Sequence, residues 1–501
     1  MTRLDVRGRP VLVGRAVFRA PGLDGDVAVS RPHDADGFRG SATFSEQLRT
    51  VLAREDVEAR ESYTISRTRE VRLGSAPSRA STGEPGLAVE LPAPAEGWSQ
   101  VILASDEAGV VSWHLAERPP GPTRGASASR GGGMQTFVLR RTVPPAEPAE
   151  QPATRGIVGA LGRKVLQVLV FRAVEEVGGR VARWASGRWE EEKRPYRLRG
   201  FEPDSFQLEE TTPIDAAAWD RLGSGPALLM LHGTFSRAHS GFAALQPDAL
   251  QEMHQAYAGR VFAFDHYTLS ETPDANVDAF LARVPAEVDL ELDVVAHSRG
   301  GLVARSLGAR HGDLSAGAKR VRLRNVVFVA CPNGGTALAD AEHMRSFVDR
   351  YTNLLSLLPD TAVLDVLATI VDVIKHLAVG ALDAMPGLSA MRRDGDILSG
   401  LRDTPFAAET RAFGLAADYE PASAGRRALA AYARDGLMDR VFGSASNDLV
   451  VPTSSCWDLG GGRALDLADR HVFETSAAVD HTGFFGNAEA SSRLVTWLTQ
   501  P

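Results

Sequence analysis

A serine flanked by an alanine two places before it and a glycine two places after it stands at Ala296-His297-Ser298-Arg299-Gly300. In a chain so rich in Ala and Gly, a relaxed pattern of this kind is expected by chance on the order of once, so its surroundings carry the reading. The apolar run LDVVA precedes it and GLVARSLGARHG, with helical spacing, follows it. Ser298 is therefore expected at a strand-to-helix turn. A hydroxyl is a weak nucleophile unless it is presented openly, next to a base and near donors for an oxyanion. A sharp elbow lifts it above a sheet, and small neighbours let strand and helix approach closely. The start of the helix also turns backbone N–H groups and a positive dipole end towards developing negative charge.

Acyl chemistry at such a serine needs a second backbone donor from a neighbouring strand end. The apolar run ALLML (227–231) supplies one, ending in His232-Gly233-Thr234-Phe235. Gly233 permits a tight turn there. The Thr234 N–H and the Arg299 N–H are the expected pair of oxyanion donors. His232 is expected to be a structural hydrogen-bonder rather than a base.

An apolar strand ending in His-Gly, followed later by an apolar strand ending in Ala-His-Ser-x-Gly-Gly, resembles the α/β-hydrolase superfamily and its lipase-like branch. The resemblance covers residues from about 220 to 500. It implies a fold of mostly parallel sheet flanked by helices, and a triad in the chain order serine, acid, histidine. Asp448, in SNDLVVPTSS, is similar to the acid loop of lipases. His481, in VDHTGFFGN, follows an apolar stretch and precedes the final helical segment SSRLVTWL. His481 would take the Ser298 proton and return it to the leaving group, while Asp448 would hold the imidazole tautomer and stabilise its cation. His471 falls at a strand start, the wrong end for such a site. Asp418, in LAADYEP, also follows a strand and stays open as the alternative acid. Asp265 and Asp480 are weaker candidates, Asp480 because its place beside His481 points it elsewhere.

The same resemblance implies a helical cap at about 335–400. CPNGGTALAD is similar to the stretch that opens such an insertion, and PGLSAMRRDGDILSGL to the one that returns to the sheet. Between them lies an apolar helical region, about 340–385, interrupted by Asp365, Asp372, Lys375 and His376. As a cap it would cover Ser298 and receive an acyl chain; the competing reading is ordinary helical core. The implied activity is hydrolysis of carboxylic esters through an acyl-enzyme. An acyltransferase on the same fold and an inactive scaffold that only binds are the competing functions. The Arg299 side chain is expected in a salt bridge on its helix rather than on an anionic head group.

These residues need elements to position them. From residue 200 to 501 apolar runs alternate with helix-like segments: ALLML, VFAF, LDVVA, NVVFVA, RAFGLA and HVFETSAAV. Their nearly continuous apolar character is that of strands buried on both faces. The predicted class is thus α/β over 200–501, with a separate β-rich domain over 1–118, where short apolar runs are punctuated by Gly, Pro, Asp and Ser. Residues 119–155 read as a Pro/Gly/Ala-rich linker holding one strand, and 156–199 as a helical connector. Within the connector, Val158, Leu161, Val165, Leu169, Val177, Val181 and Trp184 recur at helical steps over 157–192, with a break at Gly178-Gly179. Packing of that helix against the domains is preferred over a membrane-surface role for its arginines.

Bulk properties narrow the partners. The net charge of −8 points away from nucleic acid. The expected partners are a small-molecule ester or lipid substrate, a protein at the β-rich domain, and a membrane surface touched transiently. Cys331 and Cys456 lie far apart in no CxxC pattern, so neither a disulfide framework nor a zinc site is expected. His33 and His114 read as surface and strand residues. No GxxxxGK, GxGxxG or HExxH pattern occurs, so no organic cofactor and no catalytic metal are expected. The lipase resemblance leaves room for a structural calcium beside the acid loop. The N-terminal apolar stretch is broken by Gly14 and Arg15, and no run reaches the ~20 apolar residues of a membrane helix, which makes the cytoplasm the expected location.

Overall fold

Strands that are apolar at every position need cover on both faces, and the fold of the C-terminal half supplies it. In the computed structural model of the chain, the residues described are 1–30, 42–71, 86–105, 110–117, 133–140, 164–173, 180–309, 321–340, 342–380, 385–420, 439–442 and 445–499. They fall into two compact units. The first gathers described residues of Met1–Glu175 with Val371–Gly380, the second those of Glu176–Ile370, Ala381–Pro421 and Asp439–Pro501.

The first unit is built from β1 (Thr2–Arg3), β2 (Val11–Val13), β3 (Ala16–Arg19), β4 (Leu23–Ser30), α1 (Ala42–Arg54), β5 (Glu58–Glu70), β6 (Gly86–Pro92), β7 (Trp98–Ser105), β8 (Val111–His114), β9 (Met134–Arg140) and β10 (Lys164–Arg172). A six-stranded sheet, β1-β4-β5-β10-β7-β8, and a four-stranded sheet, β2-β3-β6-β9, are antiparallel throughout. Phe18, Val89 and Phe137 from one sheet and Tyr63, Ile102 and Leu166 from the other share a single core. The Phe18 and Tyr63 rings meet edge to face at 5.3 Å between centroids. His114 sits on a strand and is buried, and His33 lies outside the described residues.

Two sequence expectations change here. Among the described residues of the predicted helix over 157–192, Lys164–Arg172 is a strand and the helix runs from Arg180 to Lys193; the rest of that stretch lies outside the described residues. The run VLQVLVF has apolar residues at almost every place, so it satisfies helical steps and strand burial alike. Pairing decides it: β10 is a central strand bonded to β5 on one side and β7 on the other. Its β-branched Val165, Val168 and Val170 suit that setting. Helix α1 was also not foreseen; Leu48, Val51 and Leu52 are its buried side.

The second unit opens with α2 (Arg180–Lys193) and continues through β11 (Arg197–Gly200), α3 (Ala216–Leu222), β12 (Ala227–Leu231), α4 (Ala238–Gly241), α5 (Pro247–Ala256), β13 (Val261–Asp265), α6 (Pro273–Leu281), β14 (Leu290–His297), α7 (Gly300–Ala309) and β15 (Val321–Val329). Then come α8 (Met344–Leu354), α9 (Asp360–Ala378, which from Val371 on counts with the first unit), α10 (Pro386–Ser389), α11 (Asp396–Asp403), β16 (Arg411–Ala417), α12 (Asp439–Phe442), β17 (Asp458–Gly460), β18 (Arg463–Ala464), β19 (Arg470–Phe473) and α13 (Ala488–Thr499). The sheet order is β11-β13-β12-β14-β15-β16-β19, parallel except for the edge strand β11.

Alternate residues of each strand feed opposite cores. Leu228, Met230, Val295, Val327 and Leu415 pack with Leu250 of α5 and Leu494 of α13. Leu229, Leu231, Val294, Ala296 and Phe328 pack with Phe280 of α6 and Val303 of α7. The predicted strand over 471–479 stops at Phe473; Thr475–Ala477 is a 3-10 turn and Ala478 is left-handed at φ 52°. This shortening frees the chain to bring His481 back over the sheet edge.

Candidate active site

Each sequence-selected residue of this site follows the carboxyl end of a parallel strand. Ser298 succeeds β14, the His232-Gly233-Thr234 loop succeeds β12, Asp448 lies beyond β16, and His481 lies beyond β19. Loops at that edge converge because parallel strands all end there.

Ser298 has φ 51°, a left-handed conformation that costs an ordinary residue roughly 1–2 kcal/mol. Its backbone N–H donates to the Val329 carbonyl at 2.9 Å, which helps hold the turn. The glycines beside it answer to close approach. A Cβ on Gly300 would sit 2.6 Å from the Leu231 carbonyl oxygen, and one on Gly233 would sit 2.8 Å from the Ser298 Cβ. A side chain at either place would push β12, α7 and the Ser298 turn apart.

Ser298 Oγ and His481 Nε2 are 3.0 Å apart, and His481 Nδ1 and Asp448 Oδ2 are 2.9 Å apart. Since a carboxylate can only accept, Nδ1 carries the proton; Nε2 is then the acceptor for the Ser298 hydroxyl. Asp448 is itself fixed, its Oδ1 accepting the N–H groups of Val450 at 3.0 Å and Val451 at 2.8 Å. The His481 N–H donates to the Asp448 carbonyl at 2.9 Å, so the two loops are joined by backbone as well. All three side chains are buried, His481 completely.

The other acids lie elsewhere. Asp418 contributes its N–H to the Phe473 carbonyl. Asp265 accepts the Ala238 N–H at 2.7 Å at the start of α4, and Asp480 accepts from Thr482 within its own turn. His471 faces Glu489 at 3.3 Å.

Arg299 follows Ser298 in the chain, and Thr234 follows Gly233, which packs against the serine; outside helices and strands, neither N–H donates to a backbone carbonyl among the described residues. The Thr234 hydroxyl lies 3.7 Å from Met391 Sδ. The Arg299 side chain corrects its prediction. Among the described residues it makes no salt bridge on its helix; buried, it donates to the carbonyls of Gly387, Tyr267 and Glu271, and burial draws its guanidinium down to about 10. It thereby ties the Ser298 turn to α10 and to the loop after β13.

Three histidines near the site are held neutral. Burial pushes His232 and His297 down to about 3, and His266 well below its ordinary value. His232 and His266 stack at 4.1 Å between centroids, and His232 Nε2 accepts the His266 N–H, the structural role predicted for it. His297 Nε2 donates to the His481 carbonyl at 3.0 Å, which helps hold the His481 loop.

Groups with no motif complete the surroundings. Asp365 of α9 meets Arg194 and Arg237, each at 2.8 Å, and accepts from Ser240 at 2.5 Å. Burial alone would raise its carboxyl, but the two guanidinium charges hold it well below the carboxylate range. Arg194 also donates to the Phe235 carbonyl at 3.2 Å, and Thr369 to the same oxygen at 3.3 Å. Phe235, left-handed at φ 63°, is thus clamped directly after Thr234. Tyr351 of α8 packs edge-on against Phe235 at 4.8 Å and His481 at 5.7 Å. Nothing in the sequence singled out Tyr351, Arg194 or Asp365, because they belong to segments read only for their hydropathy or charge.

Cys331 and Cys456 are buried free thiols. Among the described residues there is no group of three or more His, Cys, Asp or Glu placed to hold a metal ion, and no helix is long and apolar enough to cross a membrane.

The chain is similar to several solved structures. Lipase 1 from Pelosinus fermentans matches at 14% identity over 55% of this chain and 98% of its own, with a TM-score of 0.38. The enol-lactonase from Burkholderia xenovorans LB400 matches at 15% identity over 61% and 96%, with a TM-score of 0.28. Phospholipase PlaB from Legionella pneumophila matches at 15% identity over 46% and 45%, with a TM-score of 0.29. No curated protein matches. The family assignment comes from residues 193–499, the whole of the parallel-sheet region: the chain belongs to the family described as a domain of unknown function, DUF7379.

Proposed function

We propose that this protein is a serine hydrolase of the α/β-hydrolase type that cleaves carboxylic esters through an acyl-enzyme on Ser298. The observation that carries the reading is the hydrogen-bonded line Ser298–His481–Asp448, at 3.0 and 2.9 Å, across three loops at one sheet edge. His481 takes the Ser298 proton as Oγ attacks the ester carbonyl, then delivers it to the leaving alcohol. Asp448 keeps the imidazole oriented and offsets its positive charge. The Thr234 and Arg299 N–H groups receive the oxyanion. Water then repeats the cycle with His481 as base, releasing the acid.

The helices between β15 and β16 act as the cap. Phe347 and Tyr351 of α8 lie against Phe235, which makes an apolar, aromatic wall next to the nucleophile. That wall favours an ester with an apolar acyl chain. The test is labelling with a fluorophosphonate probe, followed by turnover of p-nitrophenyl esters of increasing chain length. The wild type is expected to label and turn over, and Ser298→Ala to do neither, with hydrolysis lower by at least about 10⁴-fold. Equal labelling of both proteins would end the proposal. Acceptance of an added alcohol in place of water would move the reading to acyl transfer.

A further inference from the structure

Close packing demands a glycine at 233, and the freedom of a glycine has to be countered. A Cβ there would stand 2.8 Å from the Ser298 Cβ and 3.1 Å from His297 Nδ1, so only hydrogen fits against the Ser298 turn. Glycine is also the residue whose flanking peptides rotate most readily. A flip of the Gly233–Thr234 peptide would reverse the direction of the Thr234 N–H. We infer, on the ester-hydrolase reading, that Ser236 and His232 are positioning residues: they lock this peptide by gripping its carbonyl, and so keep the Thr234 N–H aimed at the negative oxygen of the tetrahedral intermediate.

The grip is direct. The Gly233 carbonyl oxygen lies 3.0 Å from Ser236 Oγ and 3.0 Å from His232 Nδ1. The Ser236 hydroxyl donates to it. The imidazole donates too, because the His266 N–H is given to His232 Nε2 at 3.0 Å, which leaves the proton of the neutral ring on Nδ1. Both donors are buried, His232 completely and Ser236 at 6% exposure. Gly241, the last residue of α4, makes room for them: a Cβ there would sit 2.9 Å from Ser236 Oγ and 3.3 Å from the His232 Cβ.

A trans peptide is planar, and its N–H points opposite to its C=O. Two donors on the Gly233 oxygen therefore fix the Thr234 N–H as well, directed away from His232 and Ser236. Thr234 is buried, and among the described residues its N–H donates to no backbone carbonyl. A buried donor left unmatched is costly, which favours an acceptor that arrives with the substrate. Hydrogen bonds at the carbonyl also polarise the amide and strengthen its N–H as a donor. When Ser298 Oγ bonds to the ester carbon, the carbonyl π pair moves onto its oxygen and the serine proton passes to His481. An N–H already aligned needs no reorganisation to meet that charge, which lowers the barrier. Neither Ser236 nor His232 exchanges a proton in this step.

The test uses Ser236→Ala in the full chain, which deletes one oxygen. Fluorophosphonate titration of Ser298 counts the active sites, so rates refer to folded enzyme alone. A trifluoromethyl ketone probes the oxyanion, because Ser298 adds to it to give a hemiketal with a negative oxygen. Expected are a kcat on p-nitrophenyl esters lower by roughly 5- to 30-fold, a KM changed less than about threefold, and a ketone Ki raised by the factor that kcat/KM loses. The pair His232→Ala and His232→Asn gives an independent reading. Both lose the acceptor for the His266 N–H, but the asparagine amide restores a donor at the Gly233 carbonyl. Alanine should raise the ketone Ki about tenfold, and asparagine should hold it within about threefold of wild type. A kcat of Ser236→Ala within twofold of wild type would overturn the inference. So would a lower kcat with an unchanged ketone Ki, as expected of damage away from the oxyanion, or equal Ki values in the two His232 variants. A wild type with no Ser298-dependent labelling or turnover would instead sink the hydrolase reading itself, and the inference with it.

Discussion

The two units both rest on β-structure, yet they place their chemistry-bearing residues differently. In the antiparallel sandwich, successive strands run in opposite directions, so their connections are shared between both ends. In the second unit six parallel strands finish at one edge, and the loops after β12, β14, β16 and β19 bring Gly233, Ser298, Asp448 and His481 together there. Burial follows the same division. The sandwich shares one core between its sheets, Phe18 against Tyr63, whereas the parallel sheet has a core on each face. A strand direction, set by which connections are helical and long, therefore decides where a triad can be assembled.

The comparison can be broken most sharply at the acid. Asp448→Asn leaves the shape of the site and removes the charge that orients His481, so kcat should fall by about 10³- to 10⁴-fold, while Asp418→Asn should change it less than about threefold. Steady-state kinetics on both variants check this, and a larger loss at Asp418 would reassign the acid. Next in size is the sandwich core. Phe18→Ala removes a fully buried ring and should cost about 3–5 kcal/mol of stability, read from denaturant unfolding, with Ser298 labelling at 25 °C unchanged. Loss of labelling in that folded variant would show that the two regions are not separable in function.

The smallest effect is in pH. His297 is held down to about 3 in the folded protein, against an ordinary 6.5 when the chain is open. Above pH 6.5 both states are neutral and the group costs nothing. As pH falls from 6.5 towards 3 the unfolded chain binds a proton that the folded one refuses, so stability declines, by about 1 kcal/mol for this residue at pH 6. His297→Gln keeps a donor for the His481 carbonyl and should flatten the loss of stability between pH 6.5 and 5. An unchanged slope would mean that the imidazole is not the source.

Much of this site was legible beforehand. Ser298, Gly233 and Gly300 carry strong local demands, because an elbow and a close strand–helix approach tolerate few residue types. His481 and Asp448 were reachable through the order of triad residues in the family that the motifs resemble. Asp418 stayed open as the acid because two loops after one strand look alike in a string. The 164–172 segment misled for the opposite reason: VLQVLVF is apolar at so many places that no period is written in it, and its partners β5 and β7 decide the outcome. Arg299 was misjudged because a buried guanidinium can be satisfied by carbonyls alone, and carbonyls have no sequence signature.

The sequence by itself determined the strand-turn-helix around Ser298, the parallel sheet of doubly buried strands and the candidates for base and acid. These follow from contacts between near neighbours and from the periodic burial of side chains. Only the tertiary structure decided which carboxylate meets His481, that Arg194 and Asp365 clamp the loop at Phe235, and that Tyr351 comes to lie against His481 and Phe235. Those pairings join residues tens to hundreds of positions apart, and their strength depends on distances and burial that exist only once the chain has packed.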